Sequence, residues 1–189
     1  MNILFVNAAV RENSRTKILA DYLLNKLSGQ VTTIDLNADK PLPLNRESLE
    51  KRNHLIAQKK FDDDMFFYAR AFQKAEIVVI CAPYWDFSFP ALIKTFIEHI
   101  NVGGLVFKYA DDGSIVSLCN AKKLYYVTTM GGHNPTDFGF GYIKALCDTL
   151  YGIQDAKLIK AEGLDIIGND VSLILENAKK QIDAMFENE

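Results

Sequence analysis

Residues 76–100 read EIVVICAPYWDFSFPALIKTFIEHI, which combines a strand pattern, an aromatic connection and a helix pattern. It opens with a β-branched apolar run at 77–80, too short for an ordinary helix, which predicts a buried parallel strand that extends to residue 82. It closes with apolar residues at helical spacing from Leu92 to Ile100, which predict an amphipathic helix. A strand followed by a packed helix is the repeating unit of an α/β sheet.

The connection between this strand and helix, APYWDFSFP, is unusual because it contains four aromatic residues and two prolines. Plain connections are normally rich in small polar residues, and loops placed by a rigid scaffold often carry function. We therefore expect a ligand at this loop. Ser88 is expected to cap the following helix, with Pro90 in its first turn.

The composition indicates one soluble domain spanning residues 1–189, since 49% of the residues are hydrophobic and 24% are charged. The formal net charge is -3, and Lys and Arg are scattered among the acidic residues. Without a basic stripe, nucleic acid and anionic membranes are not expected partners. No charged leader or long apolar run is evident, which favours the cytoplasm.

The three cysteines, Cys81, Cys119 and Cys147, are far apart in the sequence, and their number is odd. This spacing argues against a disulfide framework and against a zinc site. We interpret them as thiols in or near the core.

Four further runs have the composition of strands: residues 2–7, 31–36, 124–128 and 156–161. Helical patterns alternate with them, so the sequence predicts an α/β fold with a doubly wound, five-stranded parallel sheet. Ligands of such sheets bind beyond the carboxyl ends of the strands. The other expected elements are a partly helical excursion at 37–60, helices at 61–74, from 135 or 136 to 150 and at 169–186, and a hairpin at 101–120.

Two loops besides the aromatic one carry ligand-binding signals. Ser14 and Thr16 lie at the start of a helix, where hydroxyl groups and unpaired N–H groups favour a phosphate, although ordinary capping by Ser14 or Asn13 explains the same residues. Gly131 and Gly132 follow the fourth strand, where positive φ and close approach of amides to a ligand are possible, although a simple turn explains them as well. The first loop lacks the glycines of ATP or dinucleotide fingerprints.

The loops after strands one, three and four should meet at one edge of the sheet. Together they offer phosphate donors, an aromatic surface and backbone amides. This combination suits a ligand with a phosphate tail and a flat, polar-edged ring, which describes flavin mononucleotide (FMN).

At these residues the chain resembles the flavodoxin-like FMN-dependent NAD(P)H reductases, which comprise NAD(P)H:quinone reductases and NADH-azoreductases. The segments that carry the resemblance are Ser14-Arg15-Thr16, APYWDFSFPALIKTFIEHI, GGLVFKY, VTTMGG and AEG, in this order over most of the chain. The resemblance implies a flavodoxin-like strand order 2-1-3-4-5. It also implies a homodimer that passes two electrons from NADH or NADPH through FMN to a quinone or azo compound, by a ping-pong mechanism.

The resemblance also implies which residues bind FMN. Ser14 and Thr16 would bind the phosphate, and the other expected contacts are Pro83, Tyr84, Trp85, Asp86, Phe87, Thr129, Met130, Gly131 and Gly132. The sequence departs from the family pattern at three places. Ala8 and Ala9 replace a phosphate-loop serine, Trp85 replaces a tyrosine, and Asp86 replaces an asparagine, which exchanges an amide for a carboxylate that only accepts hydrogen bonds when ionised.

Three further residues have two interpretations each. His133 either helps to stabilise charge at the flavin edge as a hydrogen-bond donor, in a catalytic role, or lies on the surface. Phe107 and Tyr109 either close the substrate pocket or pack within their hairpin. A second class of function is an electron carrier of the flavodoxin type, which has no substrate pocket. Such carriers are strongly acidic, whereas this chain has a net charge of -3 and extra loops.

Overall fold

The structure is a computed structural model that describes residues 1–133, 136 and 138–187. The strands in these ranges are β1 (Asn2–Asn7), β2 (Gln30–Asp35), β3 (Ile77–Cys81), β4 (Phe107–Tyr109), β5 (Ile115–Ser117), β6 (Lys123–Thr129) and β7 (Asp155–Ala161). The helices are α1 (Arg15–Leu24), α2 (Leu36–Asp39), α3 (Arg46–Ala57), α4 (Phe67–Lys74), α5 (Ala91–Ile100), α6 (Phe140–Leu146) and α7 (Val171–Phe186). A 3₁₀ turn at Asp64–Phe66 precedes α4, and a π-helical turn at Cys147–Tyr151 follows α6.

The main sheet has the order β2-β1-β3-β6-β7, and all its strand pairs are parallel. This confirms the predicted order 2-1-3-4-5, since β6 and β7 are the fourth and fifth strands of that sheet. Asn7 lies opposite Cys81, and Cys81 lies opposite Val127, so the central strands end close together. The winding reverses between β1 and β3, which opens a crevice beyond their carboxyl ends.

The β3 strand is buried on both faces, which explains its continuous apolar sequence. Val78 and Ile80 belong to a core cluster that includes Phe72 of α4 and Phe96 of α5. On the other face, alternate residues of β3 pack in a second cluster with α1 and α7. These two layers hold the ends of the central strands in fixed positions.

The predicted hairpin is confirmed, because β4 and β5 form a separate antiparallel pair. The predicted cap of α5 is wrong. That helix begins after Pro90 without a side-chain cap, because the Ser88 backbone is used in a turn with Trp85 and the Ser88 hydroxyl donates to Phe138 O at 3.4 Å. The next helix begins at Phe140, later than expected, and residue 135 lies outside the described residues.

The interpretation of the cysteines as core thiols is confirmed. Cys81 and Cys147 are fully buried, Cys119 is half-buried, and all three are free thiols. Burial raises the pKa of Cys81 and of Cys147 to about 12, and that of Cys119 to about 11. Thiols with such pKa values are poor nucleophiles at neutral pH.

Helices long and apolar enough to cross a bilayer were not found in the part of the chain that the structure describes.

Candidate functional site

A cavity of about 650 Å³ lies where the loops after β1, β3, β6 and β7 meet. Its volume falls within the usual range of small-molecule sites. The residues that line it are Val10, Arg11, Glu12, Asn13, Ser14, Arg15, Thr16, Pro83, Tyr84, Trp85, Thr129, Met130, Gly131, Leu164 and Asp165. The three loops predicted from the sequence therefore share one cavity.

The first loop leads into the amino terminus of α1, which forms one end of the cavity. Ser14 is the N-cap of this helix, and its Oγ accepts a hydrogen bond from the Lys17 N–H at 3.3 Å. The capping interpretation is thus confirmed, but a hydroxyl that accepts one bond can still donate its proton. The N–H groups of the first helical turn lack partners within the helix, so this end favours an anion.

Thr16 joins the first loop to the carboxyl end of β6. Its hydroxyl lies 2.6 Å from the Thr129 hydroxyl, and the two residues are 1% and 8% exposed. When one hydroxyl donates to the other, a single O–H is left to donate elsewhere. The pair holds the phosphate-favouring end of the cavity against the sheet.

The aromatic loop after β3 forms a tight two-residue turn. Trp85 and Ser88 exchange backbone hydrogen bonds of 3.0 and 2.8 Å, and Asp86 and Phe87 have φ values of 50° and 65°. Such a turn usually contains Asn and Gly, because a positive φ strains most other residues. The Tyr84 N–H donates to Thr129 O at 3.0 Å, which fixes the start of the loop beside β6.

The loop after β6 is paired with the loop after β7. The N–H groups of Leu164 and Asp165 donate to the carbonyls of Met130 and Gly131 at 3.2 and 2.9 Å, and Gly163 donates to Gly132 at 2.9 Å. Within the described residues, the Gly131 and Gly132 N–H groups donate no hydrogen bond. They are free to bind an acceptor on a ligand.

Gly131 is required for close approach, since a Cβ at this position would lie 2.4 Å from Asp165 Oδ2. The expected positive φ is not used: neither Gly131 nor Gly132 is among the described glycines in the left-handed region. A Cβ on Gly132 would meet no atom within 4 Å. The two adjacent glycines therefore differ, and only the first is sterically constrained.

The charged residues of the cavity are two arginines and two acids. The Arg15 guanidinium donates to Asp165 Oδ1 at 2.7 Å and to Leu164 O at 3.1 Å, which ties α1 to the loop after β7. Arg11 and Glu12 line the same end. A polar, mixed-charge end thus faces an aromatic wall formed by Tyr84 and Trp85.

Eight of the predicted site residues line the cavity: Ser14, Thr16, Pro83, Tyr84, Trp85, Thr129, Met130 and Gly131. Asp86, Phe87, Gly132 and His133 follow on the same loops but do not line it. His133 has a side chain that is 72% exposed, and its Nδ1 is 3.8 Å from Glu162 Oε2. Phe107 and Tyr109 lie on the β4–β5 hairpin, with ring centroids 5.8 Å apart. The ligand-binding roles of all these residues stay predictions.

Sequence reasoning missed the contribution of the loop after β7. Leu164 and Asp165 line the cavity, but neither belongs to a recognisable motif. The sequence signal for this loop was its position: Glu162-Gly163 follows the fifth strand, so the loop lies at the same edge of the sheet as the other three loops. Groups of His, Cys, Asp or Glu arranged to hold a metal ion are absent from the described ranges.

Comparison with known proteins agrees with this architecture. A family model described as the flavodoxin-like fold matches residues 1–186, almost the whole chain. The chain belongs to this flavodoxin-like family. One relative is FMN-dependent NADH:quinone oxidoreductase 2 of Clostridium acetobutylicum, which is 32% identical over 188 residues, covering 93% of this chain and 92% of that protein.

Two further similarities extend the comparison. FMN-dependent NADH:quinone oxidoreductase of Caldicellulosiruptor saccharolyticus is 31% identical over 184 residues, covering 90% of this chain and 89% of that protein. Among solved structures, an FMN-dependent NADH-azoreductase from Bacillus anthracis in complex with FMN superposes with a TM-score of 0.81, at 20% identity over 97% of this chain and 96% of that one. At this identity the superposition shows the shared fold.

Proposed function

We propose that this protein is an FMN-dependent oxidoreductase that passes two electrons from NADH to a quinone or azo acceptor. The observation that carries the proposal is the cavity itself, in which the amino terminus of α1 faces the aromatic wall of Tyr84 and Trp85 at the switch point of the sheet. The relatives support it, since they are named as FMN-dependent NADH:quinone oxidoreductases.

The residues of the cavity fit the two ends of FMN. Ser14, Arg15 and the amides of the first turn of α1 would hold the phosphate, because hydroxyl, guanidinium and helix N-terminus all favour an anion. Tyr84 and Trp85 would contact the ring. The free N–H groups of Gly131 and Gly132 would donate to its polar edge and stabilise negative charge there.

When bound, FMN would supply the redox chemistry by taking a hydride from NADH and giving two electrons to the acceptor. The protein residues would orient the ring and keep water from one of its faces through the aromatic wall. The half-exposed side chain of Trp85, 40% accessible, leaves the rim of the cavity open to a second molecule. NADH and the acceptor would use this opening in turn, which is a ping-pong mechanism.

We also propose a homodimer in which the β4–β5 hairpin lies near the opening. Tyr109 and Ile115, which lie opposite each other in the hairpin, are 68% and 39% exposed and so leave an apolar pair at its surface. Burying them against a second copy would bring Phe107 and Tyr109 towards the substrate. The cytoplasm stays the location expected from the sequence.

An anaerobic reduction experiment tests the proposed activity. Purified protein should release FMN on denaturation, and excess NADH should bleach the bound flavin, with recovery when a quinone is added. NADPH in a parallel sample should bleach it more slowly. Failure to reconstitute the purified protein with FMN would contradict the proposal. Very slow bleaching by both NADH and NADPH would favour the electron-carrier alternative.

Replacing Asp86 with Asn is expected to raise the two-electron potential of the bound flavin. The ionised carboxylate disfavours the electron-rich reduced flavin, and an exposed charge several ångströms away contributes about 0.5 kcal/mol. This corresponds to a rise on the order of 10 mV. The measurement is a spectroscopic redox titration of the FMN-loaded protein against a reference dye.

Asp62→Asn is the matched control, because Asp62 is an exposed residue of the loop before α4 and does not line the cavity. Its potential should equal that of the unaltered protein. An unchanged potential in Asp86→Asn would mean that the carboxylate at position 86 does not act on the ring.

A further inference from the structure

A second cavity, of about 830 Å³, lies at the opposite edge of the main sheet. Its lining includes Asn2, Ile77 and Lys123, which start β1, β3 and β6, whereas the first cavity lies beyond the carboxyl ends of these strands. The two cavities share no lining residue. A ligand in the second cavity would therefore leave the proposed flavin site unobstructed.

Lysine is the dominant charged residue of this cavity. Lys26, Lys74, Lys122 and Lys123 line it, against a single lining carboxylate, Glu76. The Glu76 carboxylate is already used, since its Oε2 accepts from the Asn2 N–H at 2.6 Å. The charge balance of the lining is positive, although the chain as a whole is acidic.

Two of the lysines are available to a ligand. Lys26 is paired with Asp183 at 2.6 Å, and Lys123 lies 3.6 Å from Asp155. In contrast, the ammonium groups of Lys74 and Lys122 form no ion pair or hydrogen bond within the described part of the chain. Lys74 is in the last turn of α4, where its charge interacts favourably with the helix dipole. Lys122 directly precedes β6, and no helix dipole accounts for an unpaired lysine at this position.

The cavity also has an apolar wall. Tyr125 is 1% exposed, and its ring stacks on that of Phe186 in α7, with centroids 6.3 Å apart and planes 27° from parallel. Ile77 and Leu27 extend this surface. Because the buried Tyr125 ring supports it from behind, the exposed part of Phe186 is a fixed apolar surface for a ligand.

The frame around the cavity is fixed by backbone hydrogen bonds. The Glu76 N–H donates to Asn2 O at 2.8 Å, the Lys122 N–H donates to Glu76 O at 3.0 Å, and the Asn120 N–H donates to Gln73 O at 3.0 Å. These bonds join the segments before β1, β3 and β6. A cavity held in this way is preformed, which lowers the entropic cost of binding.

We infer that this second cavity binds a small amphiphilic anion, with its carboxylate or sulfonate on Lys74 and Lys122 and its flat apolar body against the partly exposed side chains of Leu27 and Phe186. The anion supplies a counter-charge to the lysines of the lining, and the apolar body covers the exposed part of the Phe186 ring. The expected ligand is an aromatic carboxylate or sulfonate that contains two fused rings or has a similar size.

The test is a titration of the ¹⁵N-labelled full chain, with FMN in excess, by 1-naphthoate. The amide signals of Leu27, Lys122 and Tyr125 should shift in a saturable way, and those around Ser14 and Gly131 should not. The neutral analogue 1-naphthamide should bind at least about fivefold more weakly, because it lacks the charge that the lysines recognise. Equal binding of the two compounds, or shifts confined to other regions, would overturn the inference.

A double variant, Lys74→Gln with Lys122→Gln, should weaken 1-naphthoate binding about tenfold. The matched control is Lys51→Gln with Lys180→Gln, which removes two exposed lysines of α3 and α7 that do not line the cavity. The control should bind like the unaltered chain, and both variants should keep its rate of flavin bleaching by NADH. Unchanged naphthoate binding in the first variant would contradict the inference without affecting the proposed reductase function.

Discussion

Gly131→Ala is expected to weaken FMN binding about tenfold or more, whereas Gly132→Ala is expected to leave it unchanged. A Cβ at position 131 would lie 2.4 Å from Asp165 Oδ2, 3.0 Å from its Cγ and 3.1 Å from its Cβ. The Asp165 carboxylate can rotate away because its side chain is 66% exposed, but its Cβ must also move by a few tenths of an ångström. Overpacking of this kind costs about 1–3 kcal/mol, and the shift also separates Asp165 from Arg15.

Gly132→Ala is a stringent control, because it adds the same methyl group one residue later, where no atom lies within 4 Å. Alanine keeps the N–H group at either position, so loss of a donor cannot explain a difference. The dissociation constant of FMN is obtained from the quenching of its fluorescence on titration with apoprotein. Equal constants for the two variants would show that the pairing of these loops does not shape the flavin site.

Thr16→Val is expected to destabilise the fold by about 1–3 kcal/mol and to weaken FMN binding. The valine removes one partner of the 2.6 Å hydrogen bond between two buried hydroxyls, and the Thr129 hydroxyl is left without that bond at the end of β6. The double variant Thr16→Val with Thr129→Val should be less destabilised than the sum of the two single variants, because neither hydroxyl is then orphaned.

Chemical denaturation with urea measures these free energies of unfolding, and fluorescence titration measures FMN affinity in the same samples. Thr95→Val is the control, since Thr95 is also buried but its hydroxyl only bonds back to Ala91 O within α5, at 3.2 Å. It should lose less than 1 kcal/mol and keep its affinity for FMN. If Thr16→Val behaves like Thr95→Val, the hydroxyl pair does not support the site.

The sheet could be predicted because its signals are local in the sequence. Residues 77–80 are apolar on both faces and must lie between two helical layers, and the structure places them so. Alternation of such runs with helical patterns then predicted a doubly wound parallel sheet, and the family resemblance implied its strand order. The positions of Ser14 before α1 and of Thr16 within it could also be predicted, because helix capping has a clear sequence signature.

The site was only partly predictable because several of its features depend on contacts between distant segments. Nothing in the sequence around Asp165 shows that it approaches Gly131, and a two-glycine sequence cannot reveal that only the first glycine is constrained. The turn at Asp86 and Phe87 lacks the usual Asn and Gly, so turn chemistry did not indicate it. The expected cap at Ser88 was wrong for the same reason, since that residue is used by the turn.

The ion pair between Arg15 and Asp165 joins residues that are 150 positions apart in the chain. Contacts of such separation close large loops, and their entropic cost is recovered only after the intervening strands have paired. We therefore expect the anion-favouring end of the cavity to be completed late in folding, after β7 has joined the sheet. A nascent chain that has not yet released its last quarter from the ribosome lacks β7 and Asp165, so under the proposed function we expect tight FMN binding only after this part of the chain has been synthesised.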